Sequence, residues 1–218
     1  LANSGLRVIA GAYKPDTIPE KSLTEDLVFA GLIGMIDPPR EDVRAAISEC
    51  RTAGIDVIMI TGDHPATAKN IARTLGIIGP DDDRVMTGKE MEGHGQLSSG
   101  QERSAWLGCK VFARVSPGQK LDLVSVLQEQ KNIVGMTGDG VNDAPALKKA
   151  DIGIAMGLRG TQVSQEAASM ILKDDSFTSI VTAVKQGRII FENIRKFVIF
   201  LLSCNLSELM VIASASLL

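Results

Sequence analysis

The sequence has few of the residues that build metal centres or catalytic sites from histidine and cysteine. Its 218 residues include only two histidines and three cysteines. The histidines, His64 and His94, stand far apart, and the cysteines (Cys50, Cys109 and Cys204) lack the close spacing of zinc ligands. We therefore expect no histidine-based metal site or catalytic triad, and a reducing, cytosolic compartment for the cysteines.

A strong charge of one sign and aromatic side chains are also missing. The net charge is −3, with 23 basic and 26 acidic residues interspersed along the chain, so we expect no nucleic-acid partner. Aromatics make up 4% of the residues, which favours tight α/β packing over a β-sandwich. The length suffices for one sizeable domain with residues left over. Without a signal peptide before Leu1, the chain is expected to be part of something longer.

What the sequence does contain is a repeated pattern of apolar run, glycine-flanked acid and helix. Because strands that are buried on both faces read as continuous apolar runs, the pattern predicts a parallel sheet with flanking helices. The strands are expected at residues 6–10, 27–36, 55–60, 111–115, 133–136 and 152–156, and the first helices at 41–53 and 65–75.

The stretch at residues 132–151 organises the rest of the chain. A short apolar strand breaks at Gly138-Asp139-Gly140, and a helix resumes near Asp143, with Asp143 as its N-cap. Ligands bind at the carboxyl edge of open parallel sheets, so Asp139, Asn142 and Asp143 are expected to share one small volume. Two carboxylates and an amide form a hard-oxygen site that suits Mg²⁺. An ordinary Asp-Gly turn followed by a helix cap is the alternative.

A second acidic loop follows the apolar run at residues 55–60. Thr61 and Gly62 could bind a phosphate oxygen at the start of the next helix, and Asp63 completes the loop. The alternative is a simple capping turn.

Lys120 lies in the first turn of a helix predicted from Ser116-Pro117, whose buried stripe is expected to comprise Leu121, Val124 and Leu127. The helix dipole disfavours a cation in a first turn, which is a mild argument that this lysine has a role.

The last 22 residues, 197–218, contain no basic residue and one acid. As a helix they would measure about 33 Å, enough to span a bilayer. The basic residues just before them (Arg188, Arg195 and Lys196) predict a cytoplasmic location for the preceding domain. Asn205 and Glu208 share a helix face, where they would line an ion path or, for Asn205, hydrogen-bond another helix. A buried or amphipathic helix of a soluble domain is the alternative.

The string Thr-Gly-Asp-Gly-Val-Asn-Asp-Ala-Pro-Ala-Leu at residues 137–147 resembles the hinge-side signature of P-type cation-transporting ATPases. These are membrane pumps with a haloacid-dehalogenase-like phosphorylation domain. Further segments resemble the same family in the same order: 34–40, 57–63 and 111–120. Residues 203–208 look like the fifth membrane helix of Ca²⁺-type pumps, although Na⁺/K⁺ pumps have a similar Asn-x-x-Glu.

The resemblance implies a role for each matching residue. Asp139 would ligate Mg²⁺, with Asn142 and Asp143 supporting that site. Thr61, Gly62 and Lys120 would contact the phosphoryl group, whereas Asp63 and Arg114 would lie near ATP. Asn205 and Glu208 would bind the transported cation, most simply Ca²⁺.

The resemblance also implies an organisation. Residues 1–36 would end the nucleotide-binding region, 37–187 would form the phosphorylation domain with a Rossmann-like parallel sheet, and 188–218 would form a basic stalk and a transmembrane helix. The partners would be ATP, the cation, the lipid bilayer and the remaining domains of a multi-pass pump.

One expected part is missing. The family's phosphorylated aspartate belongs to an Asp-Lys-Thr-Gly-Thr motif, and no such string occurs in this sequence. The chain alone is therefore expected to be inactive. Two other hypotheses stay open: a soluble haloacid-dehalogenase-type phosphatase, and a non-catalytic, membrane-anchored regulator.

Overall fold

The computed structural model describes residues 6–14, 26–35, 38–93 and 106–217. Its contacts divide the chain into two compact units, Leu1–Asp175 and Ser176–Leu218. The first unit contains eight described strands and most of the helices, and the second is a single long helix. The α/β class predicted from the sequence is confirmed.

The first unit opens with an antiparallel pair. β1 (Arg7–Tyr13) pairs with β2 (Val28–Met35) in a register that sets Arg7 opposite Met35, with an irregularity between Gly11 and Ala12. Both predicted strands are confirmed. Large apolar side chains of this pair are exposed, including Ile33 and Phe29. Residues 36 and 37 of the 34–40 motif lie outside the described residues.

A first parallel sheet has the order β3-β5-β4, formed by Met59–Thr61, Val111–Ala113 and Met86–Thr87 in that order. Its helices are α1 (Glu41–Thr52), α2 (Pro65–Thr74) and α3 (Gly88–Gly93). The strand predicted at residues 55–60 is shorter than expected. Its partner β5 begins at Val111, opposite Met59, so there is no ladder for the earlier residues to join.

A second parallel sheet has the order β6-β7-β8, formed by Gly135–Gly138, Ile152–Met156 and Met170–Leu172. The helices around it are α4 (Pro117–Glu129), α5 (Ala144–Lys149) and α6 (Gln162–Ala167). The described strands thus form two three-stranded parallel sheets where the sequence predicted one. In each sheet the strands carry the loops of interest at their carboxyl ends.

Helix α4 contributes to two apolar clusters of the core in the described part of the chain. Leu123 and Val126 belong to the cluster around Phe112, whereas Val124 packs with Met136, Ala146 and Leu147. The predicted stripe was therefore only partly right. Leu121 and Leu127 are half-buried, because α4 lies between two clusters and buries different residues toward each.

The second unit is helix α7 (Phe177–Leu217), 41 residues long. The predicted basic stretch and the predicted membrane segment are parts of this one helix, except that Leu218 lies outside the described residues. By length and composition it is the one described helix that could cross a membrane, and the side chains of its apolar part are exposed.

Candidate active site

The loop after β6 holds three predicted site residues. Asp139 directly follows the strand and is exposed, and Asn142 and Asp143 lie in a 3-10 turn, Val141–Asp143. Asp143 is buried, with 7% of its surface accessible. Gly138 leaves room for it: a Cβ at this glycine would lie 2.5 Å from Asp143 Cβ. The glycine is thus required by the close approach of the acid.

Lys120 and Asp143 form an ion pair that is largely removed from solvent. The Nζ–Oδ1 distance is 2.6 Å, and the two side chains are 16% and 10% exposed. The other carboxylate oxygen, Oδ2, accepts the Gly140 N–H at 3.2 Å. Asp143 occupies the N-cap position of α5 as predicted, yet its side chain caps no α5 amide. Its two oxygens face the lysine and the preceding turn instead.

The second acidic loop is closed by its own side chains. The Thr61 hydroxyl donates to Asp63 Oδ2 at 3.1 Å and accepts the Asp63 N–H at the same distance. Gly62 is exposed beside them. The N-cap of α2 is His64, whose Nδ1 accepts the Ala66 N–H at 3.3 Å. Since His64 caps the helix, the Thr61 and Gly62 groups are not used as its cap.

Main-chain hydrogen bonds tie this loop to the segment that carries Lys120. The Arg114 N–H donates to Asp63 O at 3.2 Å, and the Val115 N–H donates to Thr61 O at 3.3 Å. Arg114 is exposed and has a left-handed backbone (φ 54°). A capping box between Ser116 and Gln119 then starts α4, which sets Lys120 in its first turn.

The segment from Arg114 to Lys120 therefore contacts both acidic loops. The 61–63 loop contacts residues 114–115, and Lys120 contacts the 139–143 loop. The structure gives no direct contact between the Thr61 or Arg114 side chains and Asp139. What it brings together directly is Lys120 with Asp143, and Asp143 with Gly140.

Asp139 presents its carboxylate to solvent. Within the described part of the chain, no hydrogen bond or ion pair engages this carboxylate, and no group of three or more His, Cys, Asp or Glu residues could hold a metal. Mg²⁺ is commonly bound by one or two carboxylates together with waters and substrate phosphates. An exposed, unengaged aspartate next to an amide, Asn142, fits that mode of binding.

The main chain of Asp139 is held from another direction. Its carbonyl accepts the Thr161 N–H at 2.9 Å. The hydroxyl of the fully buried Ser164 lies 3.2 Å from the same oxygen and 2.7 Å from Thr161 O, the nearer acceptor. Neither Thr161 nor Ser164 was predicted from the sequence. The glycines that bracket the loop before them, Gly157 and Gly160, were the available signal.

Asp175 is a second residue that the sequence analysis missed. It is buried, has φ 52°, and accepts three main-chain N–H groups of residues 157–159. These bonds, with that of Leu158 first, keep the pKa of the Asp175 carboxyl below its ordinary 3.8, against the opposing effect of desolvation.

Asn205 and Glu208 lie on α7, and both are exposed in the second unit. Because they are three residues apart in an uninterrupted helix, they share one face, as the sequence predicted.

A family model of haloacid dehalogenase-like hydrolases matches residues 10–151, which include the acidic loops and Lys120. The chain belongs to the haloacid dehalogenase-like hydrolase family. Its parallel sheets, with acids at the carboxyl ends of β3 and β6, are the haloacid dehalogenase-like fold predicted from the motifs.

Relatives extend the similarity beyond the hydrolase region to α7. The calcium-transporting ATPase of Bacillus subtilis is 50% identical over 100% of this chain, which corresponds to 24% of that protein. The cation-transporting ATPase pma1 of Synechocystis is 48% identical over the same share of the chain, and 24% of that protein is covered. A sodium/potassium-transporting ATPase subunit alpha-4 of rat is 49% identical over 85% of the chain and 20% of its own length.

These relatives confirm the predicted resemblance to cation-transporting ATPases. This haloacid dehalogenase-like chain spans about a quarter of the length of the curated relatives it matches. Their names differ in the transported ion.

Proposed function

We propose that the chain is part of an ATP-driven cation pump of the P-type ATPase family, which cycles through an aspartyl-phosphate. The observation that carries the proposal is the Lys120–Asp143 pair beside the unengaged carboxylate of Asp139, at the carboxyl end of β6. The similarity to calcium- and cation-transporting ATPases along the full chain supports it.

The site suits phosphoryl transfer for an electrostatic reason. Phosphate oxygens beside Asp139 and Asp143 would be repelled, but Lys120 offsets the charge of Asp143 at 2.6 Å. Mg²⁺ held by Asp139, with Asn142 in support, would supply the remaining positive charge. Thr61 and Gly62 would donate hydrogen bonds to the phosphoryl group. Positioning and charge stabilisation of this kind are the main contributions of a protein to phosphoryl transfer.

The remaining roles concern the nucleotide and the nucleophile. Asp63 and Arg114, whose main chains are hydrogen-bonded at 3.2 Å, would lie near ATP. The sequence has no Asp-Lys-Thr-Gly-Thr string, so the phosphorylated aspartate would come from another part of a longer protein. The chain by itself is therefore expected to form no phosphoenzyme, and residues 1–36 would belong to the nucleotide-binding region.

Helix α7 would connect the site to the membrane and enter the bilayer. Its basic residues Arg188, Arg195 and Lys196 precede the apolar part, which supports a cytoplasmic site and a membrane-inserted end in a multi-pass pump. Asn205 and Glu208 would then supply cation ligands, because polar groups at that depth are costly unless they serve an interior path. Ca²⁺ is the cargo that we favour.

Phosphorylation of the full-length pump from radioactive ATP tests the assignment of Asp139. Asp139→Asn is expected to abolish the acid-stable phosphoenzyme, since the variant loses the charge that holds Mg²⁺. Asp122→Asn, which alters an exposed acid on α4, is the matched control and should phosphorylate normally. Phosphoenzyme that persists at the wild-type level in Asp139→Asn would contradict the proposal.

Transport of the cation is tested separately by Ca²⁺ uptake into vesicles. Glu208→Gln is expected to abolish uptake while leaving the protein in the membrane. Unchanged uptake would count against Glu208 as a ligand. Hydrolysis of phosphate esters by the chain alone, recovered in the supernatant without detergent, would favour the soluble phosphatase instead.

A further inference from the structure

The loop from Gly157 to Gly160, between β7 and α6, has its peptide groups engaged on both sides. Asp175 accepts its N–H groups: Gly157 at 2.7 Å and Leu158 at 2.9 Å on Oδ1, and Arg159 at 2.9 Å on Oδ2. The side chain of Gln165 approaches carbonyl groups at the two ends of the loop. The Gln165 side-chain amide lies 3.2 Å from Met156 O, 3.1 Å from Gly157 O and 3.2 Å from Gly160 O. Asp175 thus holds N–H groups of residues 157–159, and Gln165 holds carbonyl groups at the two ends of the loop, with Gly157 bound by both.

Asp175 is itself fixed in place. Its main-chain carbonyl accepts a hydrogen bond from Arg40 Nη1 at 3.1 Å, and its N–H donates to Leu172 O at 3.3 Å. Its left-handed backbone, φ 52°, is a conformation that aspartate tolerates better than most residues. A buried carboxylate with this many partners is a rigid anchor.

The ends of the loop leave no space for an alternative path. A Cβ at Gly160 would collide with the Met156 carbonyl oxygen, and one at Gly157 would lie 2.6 Å from Leu172 O. The loop therefore packs closely against the ends of β7 and β8. This packing fixes the position of Thr161, the residue that follows the loop.

That position is the main chain of Asp139. The Thr161 N–H donates to Asp139 O at 2.9 Å. The buried Ser164 hydroxyl, on α6, lies 3.2 Å from the same oxygen and 2.7 Å from Thr161 O, so its single proton is directed mainly to Thr161. No described residue contacts the Asp139 carboxylate, so its direction depends on how the backbone of Asp139 is held. The loop acts on it through Thr161, which donates the hydrogen bond to its carbonyl.

We propose that Asp175 and Gln165 are positioning residues for the magnesium site: by clamping the 157–160 loop, they fix the main chain of Asp139 through Thr161. The inference rests on the proposed function, in which Asp139 binds Mg²⁺. Neither residue touches the metal, the phosphate or the Asp139 side chain. Their effect is on the affinity for Mg²⁺, because a ligand that is free to turn binds a small, geometrically demanding ion less well.

The test uses the full-length pump in membranes and phosphorylation by inorganic phosphate, the reverse of hydrolysis, so that Mg²⁺ does not arrive bound to ATP. Phosphoenzyme is measured against free Mg²⁺ for Asp175→Asn and Gln165→Leu. We expect the half-saturating Mg²⁺ concentration to rise about ten-fold or more, as for other outer-shell partners of metal ligands. The level at saturating Mg²⁺, per expressed pump, should stay near that of the wild type.

Asp151→Asn is the matched control. Asp151 also accepts a main-chain N–H, that of Val134 at 2.8 Å, but it precedes β7 at the strand's opposite end. Its Mg²⁺ dependence should equal that of the wild type. Should Asp175→Asn fail to accumulate, Gln165→Leu decides, because that variant keeps the Asp175 bonds. If neither variant accumulates, the role of the clamp is in folding and the proposal is overturned.

The remaining outcomes separate the two proposals. A lower maximum with an unchanged Mg²⁺ dependence would also show a structural role only, and would overturn the inference. Asp139→Asn is run alongside and should give no phosphoenzyme at any Mg²⁺ concentration. If it does so while the clamp variants behave as the wild type, only the positioning role fails. If Asp139→Asn keeps the wild-type Mg²⁺ dependence, the proposed function itself fails.

Discussion

Lys120 Nζ and Asp143 Oδ1 lie 2.6 Å apart, although 22 residues and most of helix α4 separate them in sequence. The pair joins the first turn of α4 to the 3-10 turn that follows β6. Both side chains are mostly buried, so the charge of each is stabilised mainly by the other. Removal of either side chain leaves the other as an unpaired charge that water hydrates poorly.

Lys120→Met is therefore expected to destabilise the first unit by about 3 kcal/mol, the typical cost of breaking a buried pair from one side. The midpoint of thermal unfolding should fall by about 6 to 12 °C for a domain of this size. The measurement is thermal unfolding of the detergent-solubilised protein by circular dichroism. Addition of Asp143→Asn to the same chain should recover much of the loss, since the orphaned charge is then removed. Additive losses would contradict the pairing.

Gly138→Ala is expected to destabilise the protein by about 1 to 3 kcal/mol, because the new methyl group would overlap Asp143. The contact would be 2.5 Å to Cβ, an atom that cannot move without the backbone, and 2.9 Å to Cγ. Gly140→Ala is the control two residues away. Its Cβ would lie 3.6 Å from the nearest atom, an ordinary contact, and φ there is −104°. Equal unfolding midpoints for the two variants would show that the space at Gly138 is not needed.

The lowered pKa of Asp175 leads us to expect that the stability of the protein depends on pH in the acid range. Its carboxyl has a folded-state pKa below the ordinary 3.8, chiefly because of the N–H groups that it accepts, so the folded state binds this proton less readily than the unfolded state. Its contribution is therefore fully present above pH 3.8 and is lost as the pH falls through the folded-state value. The difference in unfolding midpoint between the wild type and Asp175→Asn should be large at about pH 7 and shrink toward about pH 3. A difference that does not change with pH would exclude the carboxylate as its source.

Helix α7 predicts insertion into a membrane. A soluble reporter fused ahead of residues 177–218 is expected in the carbonate-resistant membrane fraction. Replacement of Leu201, Leu206 and Leu209 by aspartate should release it, since each charge at the centre of a membrane helix costs about 2.5 to 3.5 kcal/mol. Replacement of the same leucines by alanine is the control. Retention of the aspartate variant in the membrane fraction would argue against a spanning helix.

The parts of the fold that were predictable follow from local pattern. β7 was predicted at its observed bounds, and α1 and α2 end within one residue of expectation, because Gly54 and Gly76 take the left-handed conformation (φ 73° and 74°) that stops a helix. Asp139 was singled out by its place between two glycines after an apolar run, and Lys120 by its unfavourable place in a first turn, while the resemblance implied their roles. The direct pairing of Lys120 with Asp143 was not predicted.

The clamp at residues 157–160 was beyond sequence reasoning for a physical reason. Asp175 acts on main-chain N–H groups 16 to 18 residues earlier, and such groups leave no trace in the identity of the residues that carry them. The burial on α4 was missed likewise, since a helix between two clusters has no single apolar stripe. Both features arise when separate elements pack together.

Among the described strands, the sheet orders leave β3 and β4 hydrogen-bonded to β5 alone, and β6 and β8 to β7 alone. Each therefore has one flank that no described strand joins, and unpaired strand edges are templates on which other chains add. We expect a preparation of this chain to be prone to self-association through these edges.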